Sequence, residues 1–131
     1  MGVLNQTVRL AAEDGGRSLD VELMVDIGTL FTMVPAPLLR ELGVSPIDRF
    51  PLVLQDGRRV EYDMGRAIAT VEGRSIHTLV LFGEKKDRPR LGTYTLDGLR
   101  LAVDPVRGKL VPATGFLVPA TEFRALRVAA A

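Results

Sequence analysis

Short apolar segments that alternate with polar residues, interrupted by Gly, Asp and Pro, dominate the pattern along the chain. The first two segments flank a DGG sequence at 14–16, with apolar residues at every second position on either side. Alternation with a period of two is typical of half-buried strands, and an Asp-Gly pair between two such segments indicates a hairpin. Similar turn sequences follow at 56–57, 72–73 and 104–108. The pattern predicts a mostly antiparallel β protein.

Helical patterns are few and short. The segment 35–44 (PAPLLRELGV) has Pro at its start, a narrow Leu stripe and Gly near its end, and 93–99 (TYTLDGL) can form one turn. Helix formers also follow Thr121, although a short helix with a free end is marginal in water. We therefore expect one domain over 1–115 with one or two short helices. The tail over 116–131 is a candidate for contact with a partner or a second copy.

Composition narrows the class of protein. At 131 residues, with 47% hydrophobic and 25% charged residues, the chain has the make-up of one folded domain. A net charge of +1 gives no field that favours nucleic acid, and no segment approaches the roughly 18 apolar residues of a membrane span. The absence of cysteine excludes disulfides and thiolate chemistry. The simplest prediction is a soluble, cytoplasmic protein that binds neither nucleic acid nor membrane.

Few residues suggest metal or cofactor chemistry. His77 is the only histidine and lies in the middle of a predicted strand, without a second histidine for a metal pair. The glycine-rich stretches lack the spacing and the lysine of a phosphate-binding loop. The basic run at 85–90 (KKDRPR) is explained by a solvated loop. We therefore expect no metal and no cofactor.

One carboxylate differs from the others in its neighbours. Asp26 is the single charged residue in the segment 23–35 (LMVDIGTLFTMVP), whereas the other aspartates adjoin turns or lie on alternating polar faces. Burial of an unpaired carboxylate is costly, so proteins avoid it or use it. A simple turn formed by Asp26 and Gly28 is the alternative explanation. The apolar context favours a functional role.

The same segment resembles a known catalytic motif. The sequence VDIGTLFTMVP at 25–35 is similar to the active-site strand and loop of the retropepsin-like aspartic proteases in their single-domain prokaryotic form. The residues at matching positions are Asp26, Gly28, Thr29, Thr32, Met33 and Val34. The hairpin 50–65 falls where the family has its flap, and 90–105 (RLGTYTLDGLRLAVDP) resembles a later segment of the family. The resemblance covers 5–112, most of the chain.

The resemblance implies an all-β fold, a small closed antiparallel barrel of the retropepsin or acid protease type. It also implies a homodimeric peptidase, because the chain carries one catalytic motif and the family pairs two carboxylates about 3 Å apart. The catalytic residue would be Asp26, in an active-site loop that also contains Ile27, Gly28, Thr29 and Thr32. The flap and pocket residues would be Leu30, Phe31, Val53, Gln55, Asp56, Gly57, Arg58 and Leu91.

Two residues depart from the family pattern. Ile27 stands where the family has Thr or Ser, whose hydroxyl joins a hydrogen-bond network across the dimer. Arg90 stands where an apolar residue is usual. Loss of a buried hydrogen bond costs roughly 1–3 kcal/mol. We expect Ile27 to weaken dimerisation, to lower activity or to mark a loss of catalysis.

Three hypotheses follow from the sequence. The first is a homodimeric aspartic endopeptidase that acts on a peptide or protein substrate without a cofactor. The second is a catalytically weakened or inactive dimer of the same fold that binds a peptide or a protein partner. The third is an unrelated small β-barrel in which residues 26–28 merely form a turn. The oligomeric state and the dependence of cleavage on Asp26 separate the three.

Overall fold

The computed structural model describes residues 3–113, which form nine strands and two short helices. In chain order the elements are β1 (Asn5–Ala11), β2 (Ser18–Val25), β3 (Thr32–Pro35), α1 (Ala36–Leu42), β4 (Pro46–Val53), β5 (Arg59–Val71), β6 (Arg74–Gly83), β7 (Arg90–Leu91), α2 (Thr93–Leu99), β8 (Leu101–Asp104) and β9 (Lys109–Pro112). The prediction of a mostly β protein with short helices is confirmed. Neither helix has the length and apolar composition needed to cross a membrane. The predicted tail at 116–131 lies outside the described residues.

Antiparallel hairpins form where alternation and turn residues predict them. β1 pairs with β2, β4 with β5, β5 with β6, and β8 with β9. In the β5–β6 hairpin Val71 pairs with Arg74, and the two residues between them, Glu72 and Gly73, have φ angles of 50° and 81°. Positive φ at both central residues matches the right-handed twist of paired strands.

The largest sheet contains seven strands in the order β1-β2-β7-β3-β6-β5-β4, and β1 also pairs with β5. Most of the strand pairs are antiparallel, as predicted, but β2 and β7 pair in parallel, as do β3 and β6, so the sheet is mixed. Hairpin signals report pairings between consecutive strands, whereas parallel pairs join distant segments through a crossover. Closure of this sheet into a barrel stays a prediction. The parallel pairing places the end of β2 beside β7.

Two apolar clusters fill the described part of the chain. The larger cluster packs both helices against the sheet, and its fully buried leucines are Leu10, Leu23, Leu39, Leu91 and Leu99. Each fully buried leucine side chain contributes roughly 1.5–3 kcal/mol. The smaller cluster centres on Met33, Tyr62, Met64 and Leu81, between the β4–β5 hairpin and strands β3 and β6. The first cluster stabilises the fold, and the second borders the candidate site.

Candidate active site

Asp26 follows the last residue of β2, where the neighbouring strand β7 fixes its backbone. Its N–H donates to the Leu91 carbonyl oxygen at 3.0 Å, which extends the β2–β7 pairing by one residue. Its carboxylate accepts the Gly28 N–H at 2.9 Å with Oδ1 and the Thr29 hydroxyl at 2.8 Å with Oδ2. The Asp26 side chain is 24% exposed. The loop therefore holds the carboxylate in one orientation and leaves it accessible.

Arg90 forms an ion pair with Asp26. Its Nη1 lies 3.1 Å from Asp26 Oδ2, and its Nε donates to the Arg88 carbonyl oxygen at 3.1 Å. Partial burial raises the pKa of Asp26, but the hydrogen bonds from Thr29 and Gly28 and the charge of Arg90 together lower it more. The pKa of Asp26 therefore lies below its usual value. Within one chain, these contacts favour the ionised form of Asp26.

The active-site loop is fastened to the start of α2. The carbonyl oxygens of Thr29 and Leu30 accept the N–H groups of Thr93 and Tyr94, each at 2.9 Å. The first N–H groups of a helix have no partner inside it, so the loop satisfies two of them. Gly92 makes this approach possible, because an added Cβ would lie 2.5 Å from the Leu30 carbonyl oxygen. Local backbone contacts thus fix the position of the loop.

Three buried threonine hydroxyls form a network behind the loop, which we call the threonine network. Thr95 Oγ1 lies 2.6 Å from Thr32 Oγ1 and 2.9 Å from Thr78 Oγ1. Thr32 Oγ1 also accepts the Gly92 N–H at 3.1 Å. All three side chains are buried. Thr32, predicted as part of the active-site loop, therefore ties β3 to α2 from inside the protein.

A cleft of about 500 Å³ opens between the active-site loop and the β4–β5 hairpin. Its apolar lining consists of Leu30, Phe31, Met33, Phe50, Leu52, Val53, Leu54 and Leu81. The rest of its lining consists of Gly28, Thr29, Gln55, Tyr62, Asp87 and Arg90. Asp26 is not a lining residue, but the three residues that bind its carboxylate all are. The volume lies in the range of ordinary ligand sites.

The structure brings six of the thirteen predicted site residues to the cleft. Those that line the cleft are Gly28, Thr29, Leu30, Phe31, Val53 and Gln55. Leu91, predicted as a pocket wall, is instead fully buried in the larger cluster. Successive side chains of a strand point to opposite faces, so Arg90 faces the cleft while Leu91 faces the core. Asp56, Gly57 and Arg58, at the tip of the hairpin and also predicted to contact a peptide, are not among the lining residues.

The tip of the β4–β5 hairpin is held by its own hydrogen bonds. Asp56 accepts the Arg58 N–H at 3.0 Å with Oδ1 and the Arg58 Nε at 2.7 Å with Oδ2. Gly57 has a φ of 89°, which a glycine adopts without strain. The Leu54 N–H donates to the Arg58 carbonyl oxygen at 2.8 Å. All these bonds lie within residues 54–58, so local contacts stabilise the conformation of the tip.

Large apolar side chains are exposed on the solvent-facing side of the active-site loop, which we call its front. Ile27 is 70% exposed and Leu30 is 54% exposed, and both lie in the loop between β2 and β3. Tyr94, which lies against Phe31 with ring centroids 5.6 Å apart, is also exposed. Among residues 3–113, Ile27 is therefore not closely packed.

Sequence reasoning missed Tyr62 and Asp87 as lining residues of the cleft. Tyr62 Oη donates to Asp87 Oδ1 at 3.0 Å, and Asp87 Oδ2 accepts the Glu84 N–H at 2.8 Å. Burial and then the hydrogen bond with Asp87 raise the pKa of Tyr62 to about 12. The alternation of Val60, Tyr62 and Met64 in β5 is a signal that could have revealed Tyr62. Asp87 lies within a basic loop and carries no comparable signal.

The remaining candidate for chemistry lies on the surface. His77 Nδ1 is 3.0 Å from Glu13 Oε2, and both side chains are exposed to solvent. Among residues 3–113, no three His, Asp or Glu side chains come close enough to hold a metal ion.

Comparisons with known proteins give a distant structural likeness. No family model matches the chain, and no curated protein matches it. A solved structure of the prototype foamy virus protease-reverse transcriptase is similar, at 16% sequence identity and with a TM-score of 0.43. The match covers 96% of this chain but 14% of the viral chain, so this chain spans a small part of that protein.

Proposed function

We propose that the chain is one half of a homodimeric aspartic peptidase, with one Asp26 from each subunit. The observation that carries the proposal is the Asp26 carboxylate, which Gly28 and Thr29 orient beside an apolar cleft. A reactive carboxylate needs fixed hydrogen-bond donors, access from solvent and room for a substrate. The resemblance of 25–35 to the retropepsin motif supports the same chemistry.

A second copy is required because one chain supplies one carboxylate of this kind. A two-fold contact places a residue against its own copy, so a contact through the active-site loops would bring the two Asp26 side chains together. The exposed side chains of Ile27 and Leu30 offer apolar surface for that contact. An added Cβ on Gly28 would lie at an ordinary 3.4 Å from Asp26 Oδ1, so one chain alone does not require glycine there. In the dimer, glycine lets the two loops approach closely.

In the proposed reaction the two Asp26 carboxyl groups share one proton. The ionised carboxylate takes a proton from water as the water oxygen attacks the peptide carbonyl carbon, and the protonated carboxyl donates its proton to the carbonyl oxygen. The intermediate then collapses as the C–N bond breaks. The leaving nitrogen takes a proton from one carboxyl, and a hydroxyl of the intermediate returns one to the other. The products are an acid and an amine, and the pair again holds one proton.

The cleft suits an extended peptide that lies under the β4–β5 hairpin. Leu30, Phe31 and Val53 supply apolar walls for side chains on either side of the scissile bond. An extended peptide also binds through its backbone N–H and C=O groups, as an added strand does. In this proposal the hairpin tip, with Gln55 on its cleft side, closes over the bound peptide as a lid.

A second candidate is a dimer of the same fold that binds a peptide or protein without cleaving it. The ion pair between Asp26 and Arg90 favours this candidate, because it keeps Asp26 ionised while the peptidase needs one shared proton. Ile27 adds to it, since the hydroxyl that the resemblance requires beside the carboxylate is absent.

Incubation of a denatured protein with the chain at about pH 4.5 tests the peptidase. We expect the wild type to produce fragments and Asp26→Asn to lower the rate at least roughly a thousandfold, since a catalytic group is lost. Asp97→Asn, which changes an exposed aspartate of α2, is the matched control and should cleave as the wild type does. Equal cleavage by wild type and Asp26→Asn would contradict the proposal.

Light scattering over micromolar concentrations tests the dimer on which both candidates depend. A dimer that cleaves nothing would favour the binding protein. A strict monomer would contradict both candidates, because the second carboxylate and the two-fold cleft would be missing.

A further inference from the structure

We propose that Arg90 makes the cleft selective for peptides that carry an acidic side chain next to the scissile bond. This inference rests on the proposed peptidase function and names its substrate class. It starts from the position of one guanidinium, which lines the cleft and contacts the catalytic carboxylate at the same time.

The geometry places Arg90 within reach of the residues that flank the scissile bond. Its Nη1 lies 3.1 Å from Asp26 Oδ2. In the proposed reaction, water and the scissile carbonyl lie within hydrogen-bond distance, about 3 Å, of Asp26. A side chain one or two positions from the scissile bond therefore passes close to the same guanidinium.

Arg90 has donors left for a ligand. A guanidinium carries five N–H groups. Within residues 3–113 its hydrogen bonds use two of them, one to Asp26 Oδ2 and one to the Arg88 carbonyl oxygen. The side chain is 30% exposed, so the remaining N–H groups can meet a substrate. A carboxylate is the group that a guanidinium binds best, through two parallel hydrogen bonds.

Charge balance in the dimer points to the same ligand. Two Asp26 side chains that share a proton carry one negative charge, whereas the two Arg90 side chains carry two positive charges. The excess positive charge favours loss of the shared proton and so opposes catalysis. A substrate carboxylate bound to one guanidinium removes this excess. An acidic side chain would thus improve both the binding of the peptide and the protonation of the catalytic pair.

Asp87 is the other carboxylate at the cleft, and it is already engaged. Its Oδ1 accepts the Tyr62 hydroxyl at 3.0 Å and its Oδ2 accepts the Glu84 N–H at 2.8 Å. Arg90 forms its ion pair with Asp26 and not with Asp87. The guanidinium is therefore shared between Asp26 and an incoming ligand.

Octapeptides with a central Leu–Phe bond, carrying one Glu, Gln or Lys within two positions of that bond, test the proposal. We expect the best Glu peptide to have a kcat/KM about tenfold above its Gln counterpart, the size of one charge-assisted hydrogen bond. Arg90→Gln should reduce this ratio to about one. Arg88→Gln removes an exposed neighbouring charge but keeps the carbonyl that Arg90 contacts, so it should retain the ratio.

Equal rates for the Glu and Gln peptides, a preference for Lys, or a ratio that survives Arg90→Gln would overturn the proposal. If Arg90→Gln does not fold, Arg90→Lys serves instead, because lysine keeps the charge and loses the paired donors. A smaller ratio than that of the wild type then supports the proposal, and an unchanged ratio overturns it.

Binding of the same peptides to Asp26→Asn, read by fluorescence anisotropy, separates this inference from the peptidase. A preference for Glu that disappears when Arg90→Gln is added to this variant supports acid selectivity, even if the wild type cleaves nothing and the peptidase is rejected. Cleavage by the wild type without a preference for Glu in either assay keeps the peptidase and rejects the selectivity.

Discussion

The two sides of the active-site loop differ in how fully contacts within one chain occupy their polar and apolar groups. Behind the loop, the threonine network is buried and hydrogen-bonded, and the first N–H groups of α2 hold the loop backbone. In front, the Asp26 carboxylate is partly exposed, and Ile27 and Leu30 present apolar side chains to solvent. The back of the site is complete within one chain, and the front is open to another molecule.

Both departures from the retropepsin pattern lie on the open front. Ile27 is exposed there, and Arg90 reaches Asp26 from the cleft side. The buried positions of the pattern, such as Thr32 and Gly92, keep the residues that their contacts require. A change on the front alters charge and surface without disturbing the packing that positions the loop. The residues that agree with the pattern therefore make buried contacts, whereas the two departures lie where few buried contacts depend on them.

The largest loss of stability is expected from a methyl group added at Gly92, where the loop and α2 are in close contact on the back. In Gly92→Ala the new Cβ would lie 2.5 Å from the Leu30 carbonyl oxygen, so the loop or α2 must shift. We expect a loss of about 3 kcal/mol in the free energy of unfolding, measured by urea denaturation. The matched variant on the front is Gly28→Ala, whose Cβ would lie 3.4 Å from Asp26 Oδ1 and should cost less than about 1 kcal/mol. Equal losses for the two variants would contradict the distinction between back and front.

A smaller loss is expected from cutting the threonine network. Thr95→Val keeps the shape of the side chain but removes the hydroxyl that contacts both Thr32 and Thr78. Because these partners are buried, the expected cost is about 2 kcal/mol. Thr70→Val removes a similar hydroxyl contact, to Ser75, on the exposed surface, and should change stability by less than about 0.5 kcal/mol. Thermal denaturation of both variants measures the difference between their stability losses. Similar losses would show that burial of the threonine network does not determine its contribution to stability.

Local patterns in the sequence predicted the hairpins and singled out Asp26 as a candidate residue. The alternation around Glu72 and Gly73 fixes a two-residue turn, and such a turn is decided by neighbours in the chain. The single charge in an apolar segment likewise marked Asp26 without knowledge of the fold. The order of neighbouring residues is enough to predict such a turn, because the interactions that form it are local.

Features that depend on distant pairing were not predictable in the same way. β7 has two residues, Arg90 and Leu91, and their alternation alone does not say which faces the cleft. Only the parallel pairing of Val25 with Leu91 decides that Arg90 meets Asp26. The sequence marked Arg90 as a departure, but its ion pair joins residues that lie 64 positions apart in the chain. The contact of Asp87 with Tyr62 spans 25 residues, because Asp87 lies in the loop that follows the β5–β6 hairpin.

On the front, removal of the Arg90 guanidinium should give a modest, pH-dependent loss of stability. The pKa of Asp26 is lowered in the folded chain, so its contribution is complete above the unfolded value of about 3.9 and is lost as the pH falls through the folded value. Arg90→Leu removes part of that lowering. We expect a loss of about 1 kcal/mol near pH 6 that shrinks toward about pH 2.5 in urea denaturation. Arg88→Leu should show no such pH dependence, and a constant loss for Arg90→Leu would rule out the ion pair as its cause.

The smallest effect within one chain is expected from Ile27→Thr. Because Ile27 is 70% exposed, the free energy of unfolding of the monomer should change by less than about 0.5 kcal/mol. In a dimer formed through the active-site loops, the restored hydroxyl occurs twice and should tighten association, measured by sedimentation equilibrium. Val106→Thr changes a residue that is 92% exposed in the β8–β9 turn and should leave association unchanged. A loss above about 1 kcal/mol in the monomer would mean that Ile27 already packs within its own chain, because an exposed side chain has no such energy to lose.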